Sequence, residues 1–190
     1  MKEKYFKQIS SSFNSLTEIS DDELRKFTDK LRRKKMKKGE FFTKNGEELK
    51  NMAYIISGLF RCYELDERGS EFTKYFFFEN DLIISHNAFC NLKLGVNGCI
   101  EAVEDSVILV TKVANLNELF ESHPCWHVLA KKILERHKRI EERRVSGFLL
   151  KSAEKRYDDF LQDFPGIEKR VKKEHIASYL GISPDLIGKK

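Results

Sequence analysis

From Asp21 onward the apolar positions Leu24, Phe27 and Leu31 recur at spacings of three and four, the stripe that one face of a helix presents to a core. Ser20 stands just before them and Glu23 three residues after it. That is the spacing of a capping box, and it predicts a short amphipathic helix over residues 21–33. From Lys37 to Lys112 the texture changes to short aromatic and β-branched runs cut by turn signals at Gly39, Asn45-Gly46, Gly58, Asp66-Glu67-Arg68-Gly69, Glu79-Asn80-Asp81 and Glu104-Asp105. Strands are expected at 41–44, 52–57, 59–65, 71–78, 98–103 and 107–112. Short strands at regular spacing predict an antiparallel jelly roll or sandwich rather than a parallel sheet.

Beyond Asn115 the period returns to that of a helix. Residues 123–150 contain no glycine before Gly147, and Trp126, Ala130, Ile133, His137, Ile140 and Arg144 follow a three-four spacing. A helix of about 25 residues, near 37 Å at 1.5 Å per residue, cannot bury that stripe on a small barrel alone. A partner helix is the expected cover, and the stripe predicts a homodimer. A further helix is expected over 152–163, with Tyr157, Phe160 and Leu161 apolar and Pro165-Gly166 ending it.

The segment Lys172-Lys173-Glu174-His175-Ile176-Ala177-Ser178-Tyr179-Leu180-Gly181-Ile182-Ser183-Pro184 has the pattern of two helices joined by a tight turn. Ala177 is small enough for a second helix to cross it closely, and Gly181 supplies the positive φ that leaving the first helix requires. Ser183 is a good N-cap and Pro184 a good first residue for the next helix, whose N-terminus suits phosphates and base edges. The DNA-facing candidates are Lys172, Lys173, Ser178, Ser183, Pro184, Asp185, Lys189 and Lys190.

Charge sharpens this picture. The net charge is +5, but residues 131–190 hold 16 Lys/Arg against 10 Asp/Glu and residues 1–130 hold 19 against 20. The basic excess belongs to the C-terminal third, as expected where that third meets a polyanion. Cys62, Cys90, Cys99 and Cys125 are far apart with no C-x-x-C pair, and they read as reduced thiols of a cytoplasmic protein. No stretch of about 18 uncharged apolar residues occurs, so neither a signal peptide nor a membrane span is expected.

Catalysis is not expected. Jelly-roll metalloenzymes bring two or three histidines and a carboxylate together, whereas His86 is the one histidine before residue 123. No Gly-rich phosphate loop or nucleophile elbow is present. His123 and His127 stand at i, i+4, but Pro124 lies between them and they read as helix-entry surface residues rather than metal ligands. No cofactor is expected.

The stretch from His175 to Pro184 resembles the helix-turn-helix signature of the Crp/Fnr family of transcription regulators. The hairpin Tyr54-Ile55-Ile56-Ser57-Gly58-Leu59-Phe60-Arg61-Cys62-Tyr63, with Asp66-Glu67-Arg68-Gly69-Ser70-Glu71 after it, and the segment Ile100-Glu101-Ala102-Val103-Glu104-Asp105-Ser106 resemble parts of the family's barrel. The resemblance implies an α+β fold of three parts. Residues 1–115 would form an antiparallel jelly-roll β-barrel of cyclic-nucleotide-binding type with an N-terminal helix. Residues 116–150 would form a dimerisation helix, and 151–190 a winged helix-turn-helix incomplete at its C-terminal end. The partners it implies are double-stranded DNA, a second copy of the chain and RNA polymerase, with no membrane.

Two departures limit the analogy. Where nucleotide-binding members carry a Gly-Glu pair and then a phosphate-clamping arginine, this chain has Asn80-Asp81-Leu82, and no arginine occurs between Arg68 and Arg136. A buried phosphate without a bidentate partner is poorly compensated. Lys93 supplies a charge without the fork, so tight cyclic AMP binding is not expected. Iron-sulfur sensing is not expected either, because no cysteine precedes Cys62. The effector is left unidentified, with Phe78, Asp81, Leu82, Asn97 and His137 as candidate pocket residues. His137 fits equally a polar group fixing helix register and a pH-sensitive or ligand-facing one. The second departure is Gly188, a poor helix residue where the family continues its recognition helix.

Overall fold

A computed structural model of the chain describes residues 3–48, 50–84 and 98–188. Helices α1 (Glu3–Asn14) and α2 (Asp21–Thr28) come first. The strands follow as β1 (Arg32–Met36), β2 (Phe41–Thr43), β3 (Asn51–Ser57), β4 (Phe60–Leu65), β5 (Glu71–Phe77), β6 (Leu82–Ile83), β7 (Cys99–Ala102) and β8 (Ser106–Lys112). Helices α3 (Ala114–Ser122), α4 (Cys125–Leu150) and α5 (Ala153–Asp163) precede a 3-10 turn at Ile167–Lys169. Helix α6 (Lys173–Leu180) and a second 3-10 turn, Pro184–Leu186, complete the described residues.

The strands form two antiparallel four-stranded sheets, ordered β1-β8-β3-β6 and β2-β7-β4-β5. Met36, Ile55, Ile83 and Ile108 of the first meet Phe60, Phe77, Ile100 and Ala102 of the second in a shared core. Among the described residues the expected barrel is therefore a sandwich of two facing sheets, with no ladder closing them into a cylinder. In β3, Met52 and Tyr54 alternate with Ala53 and Ile55, and all four are buried. Alternate side chains leave opposite faces of a strand, so both faces of this sheet are covered. The outer face packs on α1, α2, α3 and the start of α4 through Phe13, Leu24, Phe27, Leu109 and Trp126. The outer face of the second sheet, through Leu59, Phe76 and Val103, carries the C-terminal helices through Phe160, Phe164, Ile176 and Tyr179.

Three departures from the sequence expectations stand out. The first concerns the helix expected over 21–33, which ends at Thr28, because the chain then turns to pair β1 with β8. Ser20 Oγ caps it by accepting from Glu23 N, but the Glu23 carboxylate does not close the box. It accepts instead from Trp126 Nε1 at 2.9 Å and Ser122 Oγ at 3.0 Å, and it pairs with Lys26.

The second departure is the predicted dimer stripe. Trp126 and Ile140 are buried in cores of their own chain, and Ala130, Ile133, His137 and Arg144 are half-buried on the same side. Ala130, His137, Ile140 and Arg144 also border a cavity of about 900 Å³. The outward face of α4 carries the ion pairs Lys131–Glu135 and Lys138–Glu142, with Val128, Val145 and Leu149 exposed around them. The third departure is the expected second helix after Ser183, which is a single 3-10 turn among the described residues. No helix in them is long and apolar enough to cross a membrane.

Candidate sensor cleft and nucleic-acid interface

The turn Glu79-Asn80-Asp81 leads into β6 and ties three parts of the molecule together. Asn80 has φ of 73°, and it is the one non-glycine residue with positive φ among the described residues. Asparagine tolerates the left-handed region better than most residues. Its side-chain oxygen accepts from Tyr54 Oη at 3.0 Å and from Gln8 Nε2 of α1 at 3.1 Å. Asp81 is 5% exposed and accepts from Phe78 N at 2.9 Å and from Arg136 Nη1 of α4 at 3.0 Å. Burial raises the Asp81 pKa even though Arg136 opposes the shift.

Glu79 reaches the C-terminal region. Its two carboxylate oxygens accept from Arg170 Nη1 and Nη2 at 3.0 and 2.8 Å, a bidentate pair of the strong kind. It also accepts from Gly58 N at 2.8 Å. Burial works to raise the Glu79 pKa, and the Arg170 and Gly58 donors outweigh it, so the group ends below its ordinary value. Glu104 binds the same guanidinium.

A cleft of about 670 Å³ opens beside this turn, lined by Ser12, Asn80, Asp81, Leu82, Arg136 and His137 among others. A second cavity of about 900 Å³, lined by Tyr75, Phe77, Leu134 and Ile140, lies on the other side of His137. His137 packs 4.7 Å from the Tyr75 ring and 6.1 Å from that of Phe77. Burial, helped by Arg136, lowers its pKa to about 4, so the imidazole is neutral at physiological pH. Of the expected pocket residues, Asp81, Leu82 and His137 therefore share one cleft. Phe78 is set apart, stacked on Phe164 with ring centroids 5.7 Å apart, and Asn97 lies outside the described residues.

The C-terminal helices are fastened to a sheet edge. Strand β5 ends its sheet, and the backbone groups of an edge strand need other partners. Ser178 Oγ of α6 accepts from Thr73 N at 2.8 Å and donates to Glu71 O at 2.7 Å. Arg144 of α4 donates Nη2 to Thr73 O at 2.7 Å and Nη1 to Lys74 O at 3.2 Å. Its guanidinium carbon lies 4.2 Å from the Tyr179 ring centroid and 4.7 Å from that of Phe72. Ser178, expected to face DNA, is thus a cap on the barrel edge. It hydrogen-bonds well in either setting, and its sequence position alone does not distinguish them.

The other DNA-facing candidates lie elsewhere. Lys172, Lys173, Ser183, Pro184 and Asp185 are exposed, while Lys189 and Lys190 lie outside the described residues. Gly181 ends α6 with φ of 62°, and a Cβ there would meet the Phe148 ring at 2.9 Å. Ser183 Oγ then caps the second turn by accepting from Asp185 N. Ile187 is buried, while Pro184, Asp185 and Leu186 of the turn are exposed. Nothing local marks Arg136, Arg144 or Arg170 as cross-links, because their partners lie far away along the chain. Among the described residues no three His, Cys, Asp or Glu side chains gather as a metal site.

The described residues thus form a two-sheet sandwich, a long helix and a helical hairpin with an exposed capped turn. Solved structures of bacterial transcription regulators superimpose on most of the chain. CLP from Xanthomonas campestris, a c-di-GMP-responsive global regulator, matches with a TM-score of 0.71 at 15% identity over 89% of this chain and 88% of its own. A protein from Eubacterium rectale assigned to the Crp/Fnr family of transcriptional regulators matches with a TM-score of 0.71 at 20% identity, over 93% and 84%. FixK2 from Bradyrhizobium japonicum matches with a TM-score of 0.65 at 18% identity, over 82% and 79%. No family model and no curated protein sequence matches the chain. At these identities the likeness is one of fold.

Proposed function

We propose that the chain is a cytoplasmic DNA-binding transcription regulator of the Crp/Fnr type and not an enzyme. It responds to an effector other than cyclic AMP, held or sensed beside Asp81, Leu82 and His137. The observation that carries this reading is the α6–Gly181–Ser183 hairpin behind the long helix, with Lys172, Lys173 and the capped turn at Pro184 exposed for a nucleic-acid groove. The turn Glu79-Asn80-Asp81 supports coupling of sensor to reader. An effector that competes for Asp81 or Arg136 perturbs the same three residues whose Glu79 grips Arg170 in the C-terminal region. Two copies would associate through the outward face of α4, where Val128, Val145 and Leu149 remain exposed, and would present two hairpins to one duplex. RNA polymerase is the further partner this role entails.

The capping of the barrel edge by Ser178 favours a second reading, a sensory or scaffolding barrel dimer without DNA binding. A gel shift with promoter fragments at about 50 and about 200 mM salt separates the two. Salt-sensitive, sequence-preferring retention supports the regulator. No retention at either salt supports the scaffold.

A further inference from the structure

Away from the hairpin, the chain concentrates positive charge on one strand. Six of the seven residues from Arg32 to Lys38 are Lys or Arg, although residues 1–130 as a whole carry one more acidic than basic side chain. Arg32, Arg33, Lys34 and Lys35 make up all of β1 except the buried Met36, and all four are exposed. Strand β1 is the edge of its sheet, and its neighbours across the ladder on β8 are Val110, Leu109, Ile108 and Val107. None of the four therefore has an acidic cross-strand partner, and none forms an ion pair among the described residues. In the adjoining turn Lys37 alone is neutralised, by Asp105 at 2.7 Å.

Charged residues on an edge strand discourage pairing with other chains, and one or two lysines are enough for that. Four consecutive unneutralised cations raise a local field that disfavours the compact state by self-repulsion unless an anion meets it. Successive side chains alternate faces at about 3.3 Å per residue, so Arg32 and Lys34 share one face and Arg33 and Lys35 the other, each pair about 6.6 Å apart and close to two of the roughly 3.4 Å axial phosphate steps of a duplex strand. The stretch contains no aromatic residue. That argues against single strands, whose bases stack on aromatic platforms. It argues equally against a protein partner, because protein interfaces are rich in aromatic residues and poor in lysine.

We propose that β1 is a second, sequence-independent contact for the phosphate backbone of duplex DNA. It lies on the edge of the opposite sheet from the one whose β5 edge carries α6. This contact stands independently of the hairpin's own role.

The test measures binding of the full chain to a duplex of about 30 base pairs of arbitrary sequence, by fluorescence anisotropy across a salt series. It compares the wild type, a stripe variant (R32Q/R33Q/K34Q/K35Q) and a hairpin variant (K172Q/K173Q). Each lost phosphate contact flattens the log-log salt slope by about 0.9. With two of the four side chains on either face of the strand, the stripe variant is expected to flatten it by about two and to weaken low-salt binding at least about tenfold. An unchanged slope and affinity in the stripe variant, or no wild-type binding at low salt, overturns the proposal. A stripe variant that binds DNA normally but no longer binds vesicles containing phosphatidylserine assigns the strand to a membrane surface and overturns it as well. Loss confined to the hairpin variant leaves the regulator reading intact and removes this one. Loss confined to the stripe variant does the reverse.

Discussion

Arg144 in the middle of the long helix donates its Nε–H to the carbonyl oxygen of Tyr179 at 2.9 Å, while the same guanidinium lies over the Tyr179 ring. With its two further bonds to Thr73 and Lys74, this one side chain joins the long helix, the barrel edge and the hairpin helix. Arg144→Met leaves three backbone acceptors without their donor, and a buried unmet partner costs about 1–3 kcal/mol. Partial access to water lowers the sum, so the expected destabilisation is about 2–4 kcal/mol. Hydrogen exchange should speed up in α6 while the amides of β3 and β8 stay slow. Arg144→Lys should recover less than half of the loss, because an ammonium cannot reproduce the planar fork. Uniform acceleration across all elements would show that Arg144 supports the whole fold rather than the docking.

Acid sensitivity is expected from two neutral imidazoles. His137 and His175 both have pKa values lowered to about 4, chiefly by burial and secondarily by Arg136 and Arg61 respectively. His175 Nδ1 is buried with no hydrogen-bond partner among the described residues. The unfolded chain binds protons on these groups near pH 6.5 and the folded chain does so only near pH 4, so stability is lost as pH falls through that window. Denaturant melts at about pH 7 and about pH 5 should show this loss. His137→Gln and His175→Gln should each flatten it. A pH dependence equal to wild type in both variants would mean that neither ring is desolvated.

Glu23 gives the opposite kind of group at lower pH. The Lys26 ammonium, acting first, with the Trp126 and Ser122 donors holds its pKa down at about 2 against the opposing effect of burial. A depressed carboxylate contributes stability above its unfolded pKa near 4.3 and loses it as pH falls toward the folded value. Glu23→Gln should therefore lower the melting temperature at neutral pH and shrink the further loss between about pH 5 and about pH 3. A parallel drop in wild type and variant would show that the carboxylate is not held in the α2–Trp126 contact.

Cyclic AMP should leave the melting temperature within about 1 °C at about 100 µM ligand, since no arginine is available between Arg68 and Arg136 to clamp its phosphate. A rise of several degrees would show that another group, such as Lys93, fills that place.

The legible part of the molecule is the part with a local period or cap. Ser20 and Ser183 each announced a helical start, and each caps one through its side chain. The six expected strands lie within a residue or two of those observed. Strand β1 was not legible, because Arg32 to Lys35 has no apolar alternation and Leu31 extended the preceding helical stripe. Of the stripe from Trp126 to Arg144, Trp126 and Ile140 are buried in their own chain and the others are half-buried. A stripe records that something covers it, however, and not whether the cover is another copy or the same chain. Long-range polar partners carry no sequence period at all: Arg170 and Glu79 are 91 residues apart. Ser178 failed for a related reason, since an exposed-looking polar residue on a helix gives no sign that an edge strand waits opposite.

The most direct test of the account is selection of duplexes from a randomised library by the full chain, followed by affinity measurement on the enriched sequence. A twofold regulator with two hairpins predicts an inverted repeat whose half-sites lie about one helical turn apart, near 34–36 Å or a multiple of it. Replacing Ser183 or the Lys172-Lys173 pair should weaken its binding. Enrichment of no motif by a dimeric, folded chain would contradict the regulator reading.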